Sequence, residues 1–284
     1  SRPATGWRNT FIAWIFLTLA GAASAWRADP PAQPEAHLSR VVGTSIELIA
    51  EDGAVRAGAA LVGAELTLGT GPTAPRIRIL SVVEDGGHGV LLHEIEAMGA
   101  DGAWANICEP DRENRRLALF IEGHDLPDGR QVQVAGRLSI TCTGGVQAKC
   151  LRAGYTPWVD PRLAGSGPEM FQTCTRMFRA DYCGDGLGWT RNGMRIDIAD
   201  VRGMVQPEQP ATLPFEAAWG PDGAVCVHHV RVAERGSLAD VLAHCPRLNR
   251  VPAGASCTEA AARAMPGVLM FNRSLQPADG PTMR

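Results

Sequence analysis

Acid–base chemistry needs a carboxylate and a proton carrier brought together, and few residues of this chain are placed to supply them. Asp181 and Asp185 stand four residues apart in Ala180-Asp181-Tyr182-Cys183-Gly184-Asp185-Gly186, the most distinctive segment of the sequence. The two acids could act with a histidine in hydrolysis. Calcium needs about six to eight oxygen ligands, more than these two acids and nearby turn carbonyls offer. The other expectation is structural: an Asp beside Tyr182 and a cysteine is partly buried and needs a partner such as Arg176 or Arg179. His228 and His229 follow Cys226 in a predicted strand, where neighbouring side chains face opposite ways, so they do not readily share one metal. His244 falls at a predicted helix end and His124-Asp125 near a turn, both ordinary places for a histidine. Asp181, Asp185, His228 and His229 are therefore candidates for catalysis, and no catalytic residue is assigned.

Nucleophile and phosphate patterns are weak. Ser166 in Gly165-Ser166-Gly167 lacks the G-x-S-x-G frame and fits a residue close to a helix N-cap. No G-x-G-x-x-G or Walker pattern is seen in a strand–turn–helix setting. Lys149 is the single lysine, so Schiff-base chemistry has one possible site. No cofactor and no metal site is expected. Tyr155-Thr156-Pro157-Trp158 is the segment best suited to present aromatics in a groove, because Pro157 stiffens the loop; Tyr155 and Trp158 are the binding candidates.

The eight cysteines are Cys108, Cys142, Cys150, Cys174, Cys183, Cys226, Cys245 and Cys257, an even number. None forms a C-x-x-C pair, and the shorter gaps of 7, 8 and 11 intervening residues fit no common zinc module. Disulfides are expected, with connectivity open among 105 schemes. A bridge between Cys245 and Cys257 is the single most favoured pairing, since one closes a predicted helix and the other opens the next. Cys174 and Cys183 on one helix would lie about 13 Å apart at about 1.5 Å of rise per residue, beyond the roughly 7 Å that a bridge spans, so each needs another partner.

Residues 1–25 read as an export signal: Arg2 and Arg8 precede an apolar run from Phe11 to Ala25 that ends in Ala23-Ser24-Ala25. The run of 15 residues is short of the roughly 20 that span a bilayer. Periplasmic or secreted localisation is expected, with membrane contact only if residues 11–25 are retained as an anchor. Residues 26–39 form a Pro- and Ala-rich linker, 40–97 a small β unit, 98–276 a disulfide-rich unit and 277–284 a tail. The fold class is α+β and β-rich, with antiparallel strands and about three helices. Those helices are predicted over 168–183, 237–244 and 256–265, the second capped by Ser237 with Asp240 and the third by Ser256 with Glu259. Asn192-Gly193 and Pro221-Asp222-Gly223 predict hairpins. Hydrophobic residues make up 45% of the chain, enough for a core, and the formal charge of −3 argues against nucleic acid held by bulk charge.

The segment around Ala180-Asp181-Tyr182-Cys183 resembles the bacterial ADYC domain family. Agreement extends to Cys142, Lys149-Cys150, Gly154-Tyr155-Thr156-Pro157-Trp158, Glu216-Ala217-Ala218-Trp219-Gly220-Pro221-Asp222-Gly223-Ala224-Val225-Cys226 and Cys245-Pro246, over about 98–275. Trp189 departs from the family pattern, which has His there, so no acid–base or metal role of that His carries over. The resemblance implies export and a cysteine-rich architecture and supplies no reaction. The reading that follows is an exported structural or binding protein presenting loops to a protein or glycan partner. An exported hydrolase using Asp181 or Asp185 with a histidine, and a membrane-anchored accessory subunit of an envelope complex, are the alternatives.

Overall fold

The computed structural model describes residues 36–275. The apolar run 11–25, the first linker residues and the segment from 276 lie outside the described residues. Among those described, no helix is long and apolar enough to cross a membrane.

A three-stranded antiparallel sheet comes first, from β1 (Ala36–Val42), β2 (Ser45–Ala50) and β3 (Val55–Arg56). Next are β4 (Glu65–Thr67), β5 (Arg76–Asp85), β6 (Val90–Met98), β7 (Trp104–Asn106) and β8 (Ala118–Glu122). The short ribbon of β9 (His124–Asp125) and β10 (Gln131–Val132) precedes β11 (Leu138–Cys142). A six-stranded sheet runs β11-β8-β6-β5-β4, with β7 on β6. It takes strands from both sides of residue 97, where the sequence reading divides the chain.

β8 shows why this sheet is central. Its four apolar residues are all buried, and alternate side chains serve opposite faces. Leu119 and Ile121 join Leu92, Phe171 and Met177 in one core, whereas Ala118 and Phe120 join Ile46, Leu48 and Ile79 in the other. The first core is shared with α1 (Val146–Arg152), α2 (Pro168–Arg179) and a four-stranded sheet in the order β12-β15-β13-β14. These strands are β12 (Ile196–Asp200), β13 (Phe215–Gly220), β14 (Gly223–Val227) and β15 (Met270–Ser274). α2 lies between the two larger sheets, buried without a break from Met170 to Met177.

Fold class is as the sequence implies, α+β and β-rich. The hairpin at Pro221-Asp222-Gly223 joins β13 to β14. Asn192-Gly193 makes a turn but no hairpin, because β12 pairs with β15 instead. α2 stops at Arg179, four residues before its expected end, because Ala180 adopts a left-handed conformation. α3 (Leu238–His244) carries the Ser237–Asp240 capping box. α4 (Glu259–Ala262) starts later than predicted, since Thr258 rather than Ser256 caps it by accepting from the Ala261 N–H. α1 carries no local start signal, since Gly145 at its N-cap offers no side-chain acceptor and its first turn has no acidic residue.

All eight cysteines are bridged: Cys108–Cys142, Cys150–Cys174, Cys183–Cys245 and Cys226–Cys257, with Cα separations of 5.5, 5.9, 5.3 and 5.9 Å. Cys174 and Cys183 do take different partners. The Cys245–Cys257 pairing is corrected. After α3 the chain crosses to β14, where Ala253 bridges Val227, and this sets Cys257 beside Cys226. Cys245, left at the end of α3, meets Cys183 instead.

Candidate functional site

The helix end at Ala180 organises the distinctive segment. Ala180, at φ 50° and ψ 44°, is the left-handed residue of a Schellman motif: its N–H donates to Met177 O, and Asp181 N–H donates to Arg176 O at 2.9 Å. The chain then turns sharply enough for the Asp181 carboxylate to gather three backbone N–H groups, from Gly184 (2.8 Å), Asp185 (3.2 Å) and Gly186 (2.9 Å). Arg176 completes the set through Nη1, with both side chains buried. The same guanidinium donates to Asp128 O at 2.6 Å and Pro221 O at 3.3 Å, tying the β9–β10 turn and the β13–β14 hairpin to α2. Gly184 is obligatory here, since a Cβ would stand 2.2 Å from Asp222 O.

Tyr182 reaches the other way. Its hydroxyl donates to Glu216 Oε1 at 3.0 Å and accepts from the Arg231 N–H at 3.0 Å, while its ring stacks on Trp219. Glu216 is fully buried, yet its carboxyl stays below the usual range: burial works against this, and Arg231, Ser274 and Asn272 outweigh it. Burial also holds the Tyr182 phenol well above its ordinary value, helped by the Glu216 charge. Arg231 caps α2 by donating to Met177 O at 2.8 Å and Phe178 O at 2.9 Å. Cys183 closes the motif by bridging to Cys245 at the end of α3. Each residue of Ala-Asp-Tyr-Cys thus has a structural duty: helix stop, turn clamp, core hydrogen bond and covalent tie.

The candidate acids and histidines do not converge. Asp181 is enclosed by the contacts above. His228 Nδ1 lies 3.1 Å from Cys257 O and His229 Nε2 3.2 Å from Ser274 Oγ, their rings nearly perpendicular. Asp185 instead meets His244, with Nε2 2.7 Å from Oδ2 and both side chains nearly half exposed. Burial opposes ionisation of Asp185, but the Leu187 N–H and His244 bring its carboxyl below the ordinary value. Trp189, the departure from the family pattern, packs between Tyr182 and His244, with ring centroids 6.4 Å from each.

The aromatic candidates separate. Tyr155 is fully buried and donates to Asp200 Oδ2 at 2.8 Å, which corrects its reading as a presented ring. Asp200 also accepts from the N–H groups of Arg202, Met204 and Val205, so Tyr155 anchors a loop. Trp158 lines a groove of about 510 Å³ between the β1–β2 turn at Gly43-Thr44, the β5–β6 turn at His88-Gly89 and the loop 156–163. The loop is fastened from beneath: Thr156 Oγ1 donates to Trp158 O at 2.8 Å, and Gly167 N–H to Thr156 O at 2.9 Å. At the rim, paired hydrogen bonds from Arg162 hold Asp160 down to about 2. Sequence reasoning missed the β1–β2 turn as a wall, because it lies more than 100 residues from Trp158.

These features define a β-rich α+β scaffold braced by four disulfides. The chain belongs to the ADYC domain family, which matches it over residues 58–233 and so includes Ala180 to Cys183. The match begins inside the first β unit and ends before α3. Comparison with curated proteins and with solved structures finds no match.

Proposed function

We propose that this chain is an exported bacterial binding protein that offers the Trp158 groove to a protein or glycan partner in the envelope or outside the cell. The observation that carries this reading is the placement of Trp158, at an open groove on a loop held rigidly from below. An indole beside a polar rim suits stacking against a sugar face or an extended peptide. The four disulfides fit an oxidising compartment and keep the loops in place without a ligand. The distinctive motif is occupied with packing, capping and bridging, which leaves the loops for recognition.

The test is binding of the mature protein to a panel of envelope glycans and peptides, with Trp158→Ala alongside. Binding that falls at least tenfold in the variant supports the reading. No binding across the panel and in envelope cross-linking, or binding equal in the variant, contradicts it.

One observation favours hydrolysis instead, the Asp185–His244 contact. The sulfur beside that pair, Cys183 Sγ, is committed to a disulfide and offers no nucleophile. Hydrolytic turnover lost in His244→Ala would favour this alternative.

A further inference from the structure

Three ligand-type atoms crowd together at the edge of the motif. Cys183 Sγ, a carboxylate oxygen of Asp185 and a ring nitrogen of His244 all lie within 4.8 Å of one another. Cys245 follows His244 directly and is bonded to Cys183, so a second sulfur lies next to this trio on its buried side. Two sulfurs, an imidazole and a carboxylate make a four-ligand set for tetrahedral zinc once the sulfurs are thiolates. We propose that opening the Cys183–Cys245 bridge converts this corner into a zinc site held by Cys183, Cys245, His244 and Asp185.

The geometry is nearly in place. With Zn–S near 2.3 Å, two sulfurs on a zinc tetrahedron sit about 3.8 Å apart. Two cysteines whose Cα atoms are 5.3 Å apart reach that separation by small side-chain rotations. His244 Nε2 and Asp185 Oδ2 touch at 2.7 Å, and opening that contact by about 0.6 Å lets both atoms take a zinc at about 2.0 Å. The Leu187 N–H holds the other Asp185 oxygen at 3.0 Å, orienting the carboxylate.

The location singles out this bridge. Cys150–Cys174 and Cys226–Cys257 are buried at both ends; Cys108–Cys142 is partly open at Cys142, as this bridge is at Cys183, but only Cys183 has an exposed carboxylate and imidazole, Asp185 and His244, beside it. Among the described residues, no other bridge is part of such a cluster. A protein dithiol is the reductant: its thiolate attacks one sulfur, and its second thiol resolves the mixed disulfide. The dithiol leaves as a disulfide, having given two electrons, and Cys183 and Cys245 become thiols. Zinc then binds both sulfurs and releases their two protons. The ion ties the same two residues that the covalent bond tied, so α3 stays docked on the motif in either redox state.

The test is zinc and cobalt(II) titration of the full mature chain after mild reduction, with alkylation mapping to show that Cys183 and Cys245 alone are open. One equivalent of zinc, and a thiolate-to-cobalt charge-transfer band, are expected in the reduced protein and not in the oxidised one. His244→Ala and Asp185→Ala should each weaken metal binding at least tenfold. Cys245→Ser, which frees Cys183 without reductant, should give the cobalt band and covers the case in which reduction unfolds the chain. Absence of metal binding in both the reduced protein and Cys245→Ser, or affinity unchanged in His244→Ala, overturns the proposal.

Discussion

Arg231 forks onto Glu216, with Nε 2.9 Å from Oε2 and Nη2 3.1 Å from Oε1. Both side chains are nearly sealed from solvent, at 1% and 0% exposure. Removing one partner leaves a buried charge, so Arg231→Met should lose about 3 to 5 kcal/mol in urea unfolding. The double variant Glu216→Gln, Arg231→Met should recover part of that loss. A single-variant loss below about 1 kcal/mol would show that the pair does not hold α2 to the four-stranded sheet.

Asp181→Ala separates structure from chemistry. The change strands Arg176 and three backbone N–H groups, so thermal unfolding should reveal a loss of about 3 to 5 kcal/mol. Asp181→Asn keeps acceptor capacity on one oxygen and should lose less. Were Asp181 a catalytic acid and nothing more, both variants would keep wild-type stability.

The parts of the fold legible in the sequence are those whose causes are local. The Ser237–Asp240 box and the Pro221-Asp222-Gly223 hairpin each lie within a few residues, and both form. The rise of a helix sufficed to keep Cys174 from Cys183, although the helix ends before Cys183. The end of α2 is not legible because Ala180, a residue that resists the left-handed region, supplies the stop, while the glycine that adopts it at little cost, Gly184, lies four residues further on. Asn192-Gly193 carries a hairpin signal, but the strand that pairs with β12 is β15, more than 70 residues on. The cysteine pairing depends on how α3 and β14 approach the motif, which no spacing encodes. Likewise, Tyr155 looks presentable beside Pro157 until Asp200 is seen beneath it.

His93 provides a pH signature. Burial lowers its pKa from 6.5 to about 4, against a backbone contact at Ala118, and Ser45 Oγ lies 3.0 Å from Nε2. The unfolded chain therefore binds this proton more readily than the native one. The stability it contributes is complete above about pH 6.5 and is lost as pH falls toward about 4, on the order of 3 kcal/mol. Urea midpoints measured across that window should fall, with a shallower slope in His93→Gln. An identical slope in the variant would place the acid sensitivity elsewhere.

Tyr155 and Trp158 should part company on mutation. Tyr155→Phe leaves the Asp200 carboxylate one donor short and should reduce stability by about 1.5 to 3 kcal/mol. Ligand binding at the groove should stay within about twofold. Trp158→Ala should show the reverse balance, with binding affected more than stability. Equal effects of the two variants on binding would mean that the groove is shaped by the loop and not read by the indole.

The most direct test of the braced scaffold is peptide mapping of the purified, unreduced protein together with thiol quantification after denaturation. The account predicts no free thiol and the four links 108–142, 150–174, 183–245 and 226–257. Several free thiols in the unreduced protein, or a Cys245–Cys257 link in place of the bridge from Cys183, would contradict it.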